Sequence, residues 1–430
     1  PDLRQLQEEL LGMVSNAVSN LAEQLEDAHI TDFGMAATCN RLGELLFKLG
    51  RGEEALAQYR YAYQLIKQVA EKEPDNDLAR TNLALLLMQM GKMCLQVNDD
   101  AQTARDYFLE ARDLQQAIAD QPRNNAGQTE KDHHRLLSHY ELNAGIASLR
   151  LGRPDEALRS LQAALAHREA WLKLEPNNVA AVSYLSQAHQ WLGIVKWHLD
   201  DLEATRNHFH KALDICHDLA GRLPNDFSFR RDLAEIYGDD GDAKLRLGLV
   251  DDARLAVEKS REFLEAFLAR NPDDVSQRPL LAQTCERQAL VALRLGQADE
   301  AKRHFTDARS LRDELLAVEP KNQSWRMARA LTLAHCGQCA EAAKLAQEVV
   351  DQSPGRVGLL LQAARTWAVC AAQTTAAGEK AAYRKHAVEA LHTATAGEFC
   401  DVVLLKTDPE LSLLGDDAGY AAILAEIKAR

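Results

Sequence analysis

Clusters of proline, glycine and serine are scarce in these 430 residues. One extended array therefore fits the length better than two or three separately bounded domains. Segments alternating β-branched or aromatic residues with polar ones are missing, and aromatics make up only 6% of the chain, which argues against a sheet. No apolar run approaches the roughly 18–20 residues of a membrane span. The opening Pro1-Asp2-Leu3-Arg4 has neither the basic start nor the apolar core of a signal peptide. An initiator methionine is also missing, which suggests a segment of a longer protein or a processed product. Positive charge is in deficit: 50 Lys and Arg against 64 Asp and Glu leave a net charge of -14. That balance repels a phosphate backbone and forgoes the counterion release behind nucleic-acid binding, so no nucleic-acid partner is expected. The eight cysteines follow no disulfide framework, and most fall on apolar helical faces. They suit reduced thiols in the cytoplasm.

Helix formers (Ala, Leu, Glu, Gln and Arg) dominate throughout, and the chain repeats itself. A Leu-Gly landmark at Gly50 recurs at Asn98, Gly152, Asp200, Gly248, Gly296 and Gly337, mostly 48 residues apart, with one longer step and a short last one. Seven residues before the landmark the side chain is minimal: Gly43, Gly91, Gly145, Gly193, Gly241, Ala289 and Ala330. Beyond the turn an alanine or threonine is followed four residues later by Tyr59, Phe108, Leu161, Phe209, Val257, Phe305 or Ala346. Small residues on one helix and bulky ones on the next predict close-packed antiparallel pairs. Each second helix should stop before Pro74, Pro122, Pro176, Pro224, Pro272, Pro320 or Pro354. The residues Asn76, Asn124, Asn178, Asn225, Asp274 and Asn322 are expected to cap the following helix or shape its turn.

This order of small residue, Leu-Gly, Ala, Tyr or Phe, Ala and Pro-x-Asn resembles the tetratricopeptide repeat, whose unit is about 34 residues. The fourteen extra residues per unit should lengthen the helices, chiefly the second, into rods of roughly 30 Å. The resemblance implies an all-α, right-handed α-α superhelix of about seven to eight helix pairs with terminal capping helices. Residues 1–30 are expected to form the N-terminal cap and 31–354 seven pairs, with a degenerate pair and capping helix at 355–430. The ending, Thr407-Asp408-Pro409-Glu410-Leu411 to Tyr420-Ala421-Ala422-Ile423-Leu424, is similar to the C-terminal repeat region of planctomycete-type bacterial serine/threonine kinases. A regulatory or substrate-recruiting role in bacterial signalling follows from that resemblance.

Motifs that suggest chemistry have simpler structural explanations. Asp32-Phe33-Gly34 copies the kinase magnesium motif, but 31 preceding residues cannot hold a phosphate loop, strand lysine and catalytic loop. Cys336-Gly337-Gln338-Cys339 has redox spacing, yet it occupies the repeat's turn with no strand before it. His133, His134 and His139, like His208 and His210, lack a metal-ligand arrangement. No catalytic residue, cofactor or metal ligand is assigned, and the segment itself is read as a non-enzyme.

One polar row remains, two residues before the landmark: Lys48, Gln96, Arg150, His198, Arg246 and Arg294. At 100° per residue it lies about 140° from the small-residue stripe, so it should face away from the packing contact. Resemblance to tetratricopeptide proteins implies that first helices line a concave face where proteins or extended peptides bind. Lys48, Arg150, His198, Arg246 and Arg294 are therefore the expected contacts for an acidic peptide. A cation in a helix's last turn also complements the helix dipole, which accounts for the row without any ligand. A peptide or metabolite sensor that changes superhelix pitch, or an enzyme with a site of unfamiliar form, are the alternative functions.

Overall fold

The computed structural model describes residues 33–48, 52–97, 99–121, 127–270, 277–396 and 399–429, and every regular element among them is helical. Seven helix pairs come first: α1 (Phe33–Lys48) with α2 (Gly52–Lys72), α3 (Asp77–Val97) with α4 (Ala101–Ala119), α5 (Glu130–Arg150) with α6 (Pro154–Leu174), and α7 (Val179–His198) with α8 (Leu202–Arg222). They continue as α9 (Ser228–Arg246) with α10 (Val250–Arg270), α11 (Arg278–Arg294) with α12 (Ala298–Val318), and α13 (Gln323–His335) with α14 (Cys339–Gln352). A further pair, α15 (Val357–Gln373) and α16 (Ala377–Ala396), precedes the short α17 (Val402–Thr407), a 3-10 turn at Leu411–Leu414 and the last helix α18 (Ala418–Ala429). These elements fall into two compact units, the first ending at Ala144 and the second starting at Gly145. The N-terminal cap expected at 1–30 lies outside the described residues.

The Leu-Gly landmark is a helix stop. After α5, Gly152 takes φ +69°, its N–H donates to Leu149 O (2.9 Å), and the Arg153 N–H donates to Ser148 O (2.9 Å). The same two bonds close α7 at Asp200, α9 at Gly248, α11 at Gly296 and α13 at Gly337, all with positive φ. This Schellman arrangement satisfies the last carbonyls and needs a left-handed residue, hence the glycines. The second repeat corrects the sequence alignment, because the left-handed residue is Asp99 (φ 50°) rather than Asn98. The Asp100 N–H accordingly reaches Cys94 O, one residue further back than elsewhere. Asp99 thus stands five residues before Ala104, as Gly152 stands before Ala157.

Within each pair the two sequence rows meet. A Cβ built on Gly43 would lie 2.9 Å from the Tyr59 ring, on Gly91 2.6 Å from Phe108, on Gly145 2.7 Å from Leu161, and on Gly241 2.6 Å from Val257. Glycine there removes the atom that would hold the helices apart, and the facing bulky side chain fills the space. Later pairs use alanine instead, with Ala289, Ala292 and Ala301 buried around Phe305.

Both helices of a pair are lengthened, not chiefly the second. α3 and α5 reach 21 residues, the length of the second helices α2, α6, α8, α10 and α12. Only the seventh pair is short, with 13 residues in α13 and 14 in α14. The side chains of Asn76, Asn178 and Asn322 cap the following helices by accepting N–H bonds at 3.0–3.1 Å. In the fifth repeat Asp226 takes over from Asn225, its carboxylate accepting the Ser228 N–H at 3.0 Å. Asn124 and Asp274 lie outside the described residues.

Candidate functional site

Between α16 and α18 the second unit carries a strap, residues 399–414, that touches five of its repeats. Phe399 is 1% exposed and covers Gly152, where a Cβ would sit 2.2 Å from its ring. The Cys400 N–H then donates to Gly152 O (3.2 Å). Further along, Asp401 meets His198, Asp408 meets Arg246 and Arg365, and Glu410 meets His335. Gly152, His198, Arg246 and His335 all close the first helices of their repeats, so these helix ends curve around one short segment. That defines the inner face of the second unit.

Each strap aspartate works in two directions. Asp401 Oδ1 accepts the Leu404 N–H (2.7 Å) and caps α17, while Oδ2 meets His198 Nδ1. Asp408 Oδ1 accepts the N–H groups of Glu410 (3.1 Å) and Leu411 (3.0 Å), and Pro409, directly after Asp408, fixes the turn. Its Oδ2 accepts from Arg365 Nε (2.9 Å) and Nη2 (2.7 Å) and lies 4.0 Å from Arg246 Nη2. Burial alone would raise the Asp408 pKa, but Arg365 and Arg246 hold its carboxyl below the usual range. The Arg246 guanidinium stacks 4.5 Å over the ring of Trp197, three residues before the Asp200 landmark of the preceding repeat. Arg246 Nη1 is buried and has no hydrogen-bond partner among the described residues.

Of the expected contact row, the structure brings His198 and Arg246 to the strap. Arg294 and Arg150 are exposed, and Arg294 has no ion pair among the described residues. The side chain of Lys48 lies outside the described residues, and Gln96 is exposed at the end of α3. Sequence reasoning missed His335 and Arg365. His335 stands two residues before Gly337, so extending the row by one repeat finds it. Arg365 belongs to the degenerate pair and carries no comparable signal.

A second stripe also escaped the sequence reading. Asp232, Glu235, Asp239, Asp242 and Arg246 are spaced three and four apart on α9 and so share one face. Asp239 accepts from Gln190 Nε2 (2.7 Å) and Arg287 Nη2 (2.9 Å), and Asp242 accepts from Arg287 Nε (2.9 Å). Arg287 thereby ties α11 to α9. Glu235 has no ion pair among the described residues, and burial pushes its pKa up to about 7 against an opposing contribution from Arg231.

The remaining motifs have structural roles. Phe33 and Gly34 open α1, Met35 and Ala36 are buried in its core, and Asp32 lies outside the described residues. Cys336 caps α13 and Cys339 starts α14, with the Cys370 thiol 3.7 Å from Cys339 O. His208 faces His189 (3.0 Å), and burial lowers the pKa of both, that of His189 to about 4. His210 is exposed beside Asp214. No group of three or more His, Cys, Asp or Glu side chains that could hold a metal ion occurs among the described residues. No helix among them is long and apolar enough to cross a membrane.

Two models described as tetratricopeptide repeat match the chain, at residues 35–75 and 286–357. Among solved structures, the apo form of the quorum sensor NprR from B. thuringiensis is similar over 91% of this chain and 99% of that one, at 12% identity and a TM-score of 0.50. A Rap protein complexed with Competence and Sporulation Factor is similar over 92% and 97%, at 13% identity and a TM-score of 0.49. BtubC from P. vanneervenii is similar over 61% and 92%, at 16% identity and a TM-score of 0.43. No curated protein matches the chain. At such identities these structures speak to fold alone. The chain thus carries tetratricopeptide-repeat matches at residues 35–75 and 286–357, one in each unit, within a run of similar helix pairs.

Proposed function

We propose that the chain is a protein- or peptide-binding scaffold whose recognition face is the inner face of the second unit. One observation carries this reading: His198, Arg246 and His335, drawn from one register of three repeats, each receive a carboxylate from a single acidic segment. Basic side chains recurring once per repeat suit an extended acidic polypeptide, since hydrogen bonds to carboxylates placed at intervals along it fix both affinity and register. Arg150, Arg294 and, in the first unit, Lys48 extend the same register. In this reading residues 1–30 cap the array, 31–354 supply seven pairs and 355–430 close it. The array serves as the regulatory or substrate-recruiting part of a bacterial signalling protein such as a serine/threonine kinase, an assignment supported by the resemblance of its ending. The scaffold itself performs no chemistry.

A peptide sensor is the second reading. The strap favours it, because a segment in contact with five repeats can hold their curvature.

The scaffold is tested by placing a photoreactive side chain at position 294 and, as control, at the exposed position 210 on the second helix α8. A polypeptide labelled from 294 and not from 210 is the expected result. Its affinity should fall about two- to fivefold in Arg294→Glu, the scale of one exposed ion pair, and the loss should shrink at high salt. Equal labelling from both positions would remove the inner face as the recognition surface.

A further inference from the structure

The strap fills its site incompletely. Arg246 stands 4.0 Å from Asp408 and keeps a buried Nη1 without a partner among the described residues, and Arg294 in the same register is open to solvent. Its polar contacts nevertheless have the form of a bound peptide: an aromatic side chain seated on Gly152, followed by carboxylates on His198, Arg246 and His335. Both ends are fastened, because α16 precedes it and α18 packs back on α16 and α17, with Tyr420 Oη donating to Leu405 O.

We propose that residues 399–414 are a resident, intramolecular occupant of the recognition face. The partner is then an acidic segment of another polypeptide that exchanges for it, bringing an aromatic residue to Gly152, carboxylates to His198, Arg246 and His335, and one more to Arg294. This inference rests on the scaffold reading above and names its ligand and regulation. Exchange is the physical route, because an incoming segment with its own aromatic and apolar side chains replaces the contacts the strap gives up. A tethered segment competes at an effective concentration of about a millimolar, so a free ligand making only the same contacts is excluded at micromolar concentration. A partner gains access by pairing Arg246 more closely, by using Arg294, or by meeting a strap whose carboxylates have been weakened.

The probe is a labelled synthetic peptide with the sequence of residues 399–414, titrated by fluorescence anisotropy against the full chain. The parent should show no saturation below about 1 mM. The triple variant Asp401→Asn/Asp408→Asn/Glu410→Gln, verified as folded by circular dichroism, should bind at least tenfold more tightly. Adding Arg246→Glu to it should abolish that gain, whereas Arg294→Glu, at a residue the strap does not touch, should leave it unchanged. A folded triple variant that binds no better than the parent overturns the inference. If the triple variant does not fold, hydrogen exchange of the parent in 1 mM peptide decides. Faster exchange of the strap amides with α15 unchanged supports exchange of segments, and an unaltered strap overturns it. A partner cross-linked from position 294 that is indifferent to the triple variant leaves the scaffold standing and removes only the resident occupant.

Discussion

At the scale of single residues the repeat is written in side-chain volume and backbone sign. The glycine row and the bulky row were legible because each recurs with the 48-residue unit, and the structure sets them face to face: Gly91 against Phe108, Gly241 against Val257. The landmark was legible as a turn, but its left-handed φ is reached without glycine at Asp200 (φ 59°). An L-residue there costs roughly 1–2 kcal/mol, moderated because aspartate tolerates the conformation, while glycine loses more entropy on folding. The balance favours glycine slightly. Asp200→Gly is expected to raise the stability of the second unit by about 0.5 kcal/mol in urea denaturation, with the same change at Asp201 destabilising because Asp201 caps α8 through the Ala204 N–H. A destabilised Asp200→Gly would mean that the aspartate side chain supports the turn. What the sequence hid at this scale was the one-residue shift at Asp99, since Asn98 also fits a left-handed turn and no neighbour distinguishes the two.

At the scale of elements, α9 stands apart from its equivalents. Its inner stripe of Asp232, Glu235, Asp239 and Asp242 is acidic, whereas α7 offers Tyr184, Gln187, Trp191 and Ile194 at the matching positions. Arg287 reaches across from α11 and pairs with both Asp239 and Asp242. Glu235, next to Asp232 and Asp239 with only Arg231 and Arg287 to oppose them, is raised from its ordinary 4.5 to about 7, with burial the largest cause. In the folded chain it stays protonated up to that pH, whereas in the unfolded chain it ionises near 4.5. Its contribution to stability is therefore fully present below 4.5 and is lost as pH rises through about 7. Glu235→Gln cannot ionise and should escape this loss. Its stability relative to the parent should be unchanged near pH 4 and should grow to about 1–3 kcal/mol by pH 8. Urea curves at the two pH values measure it, and a difference independent of pH would show that Glu235 titrates alike in the folded and unfolded chain. Charges alternating along helices are usually a solvated face, and nothing local in the sequence separates this stripe from the rest. The distinction comes from Arg287, which lies 45 and 48 residues from its partners.

At the scale of the second unit, the strap changes what kind of object the array is. In a solenoid each repeat contacts chiefly its neighbours, so stability adds up locally and ends can fray independently. The strap adds contacts 203 residues apart, between His198 and Asp401, and 248 apart, between Gly152 and Cys400. The sequence drew attention to Asp408-Pro409-Glu410-Leu411 as an ending but not to its location, because pairing across such distances leaves no periodic trace. Phe399, Leu405, Leu411 and Leu414 are almost fully buried, each contributing roughly 1.5–3 kcal/mol, and they couple the third repeat to the eighth pair. Asp408 holds the polar side of that coupling. Asp408→Ala leaves the half-buried Arg365 without its carboxylate and should cost about 1.5–3 kcal/mol, the scale of hydrogen bonds to a charged group. Its distinguishing effect is on cooperativity: with the strap loosened, the second unit should unfold over a wider range of denaturant with a lower apparent m value, and α15 and α16 should exchange amide protons before α9 and α10. Asp416→Ala, which removes only the exposed pair with Arg384, should leave the curve unchanged. If Asp408→Ala lowers the midpoint while keeping the parent's m value and exchange order, the strap adds local stability without coupling distant repeats, and the array unfolds as one unit through contacts between neighbouring repeats alone.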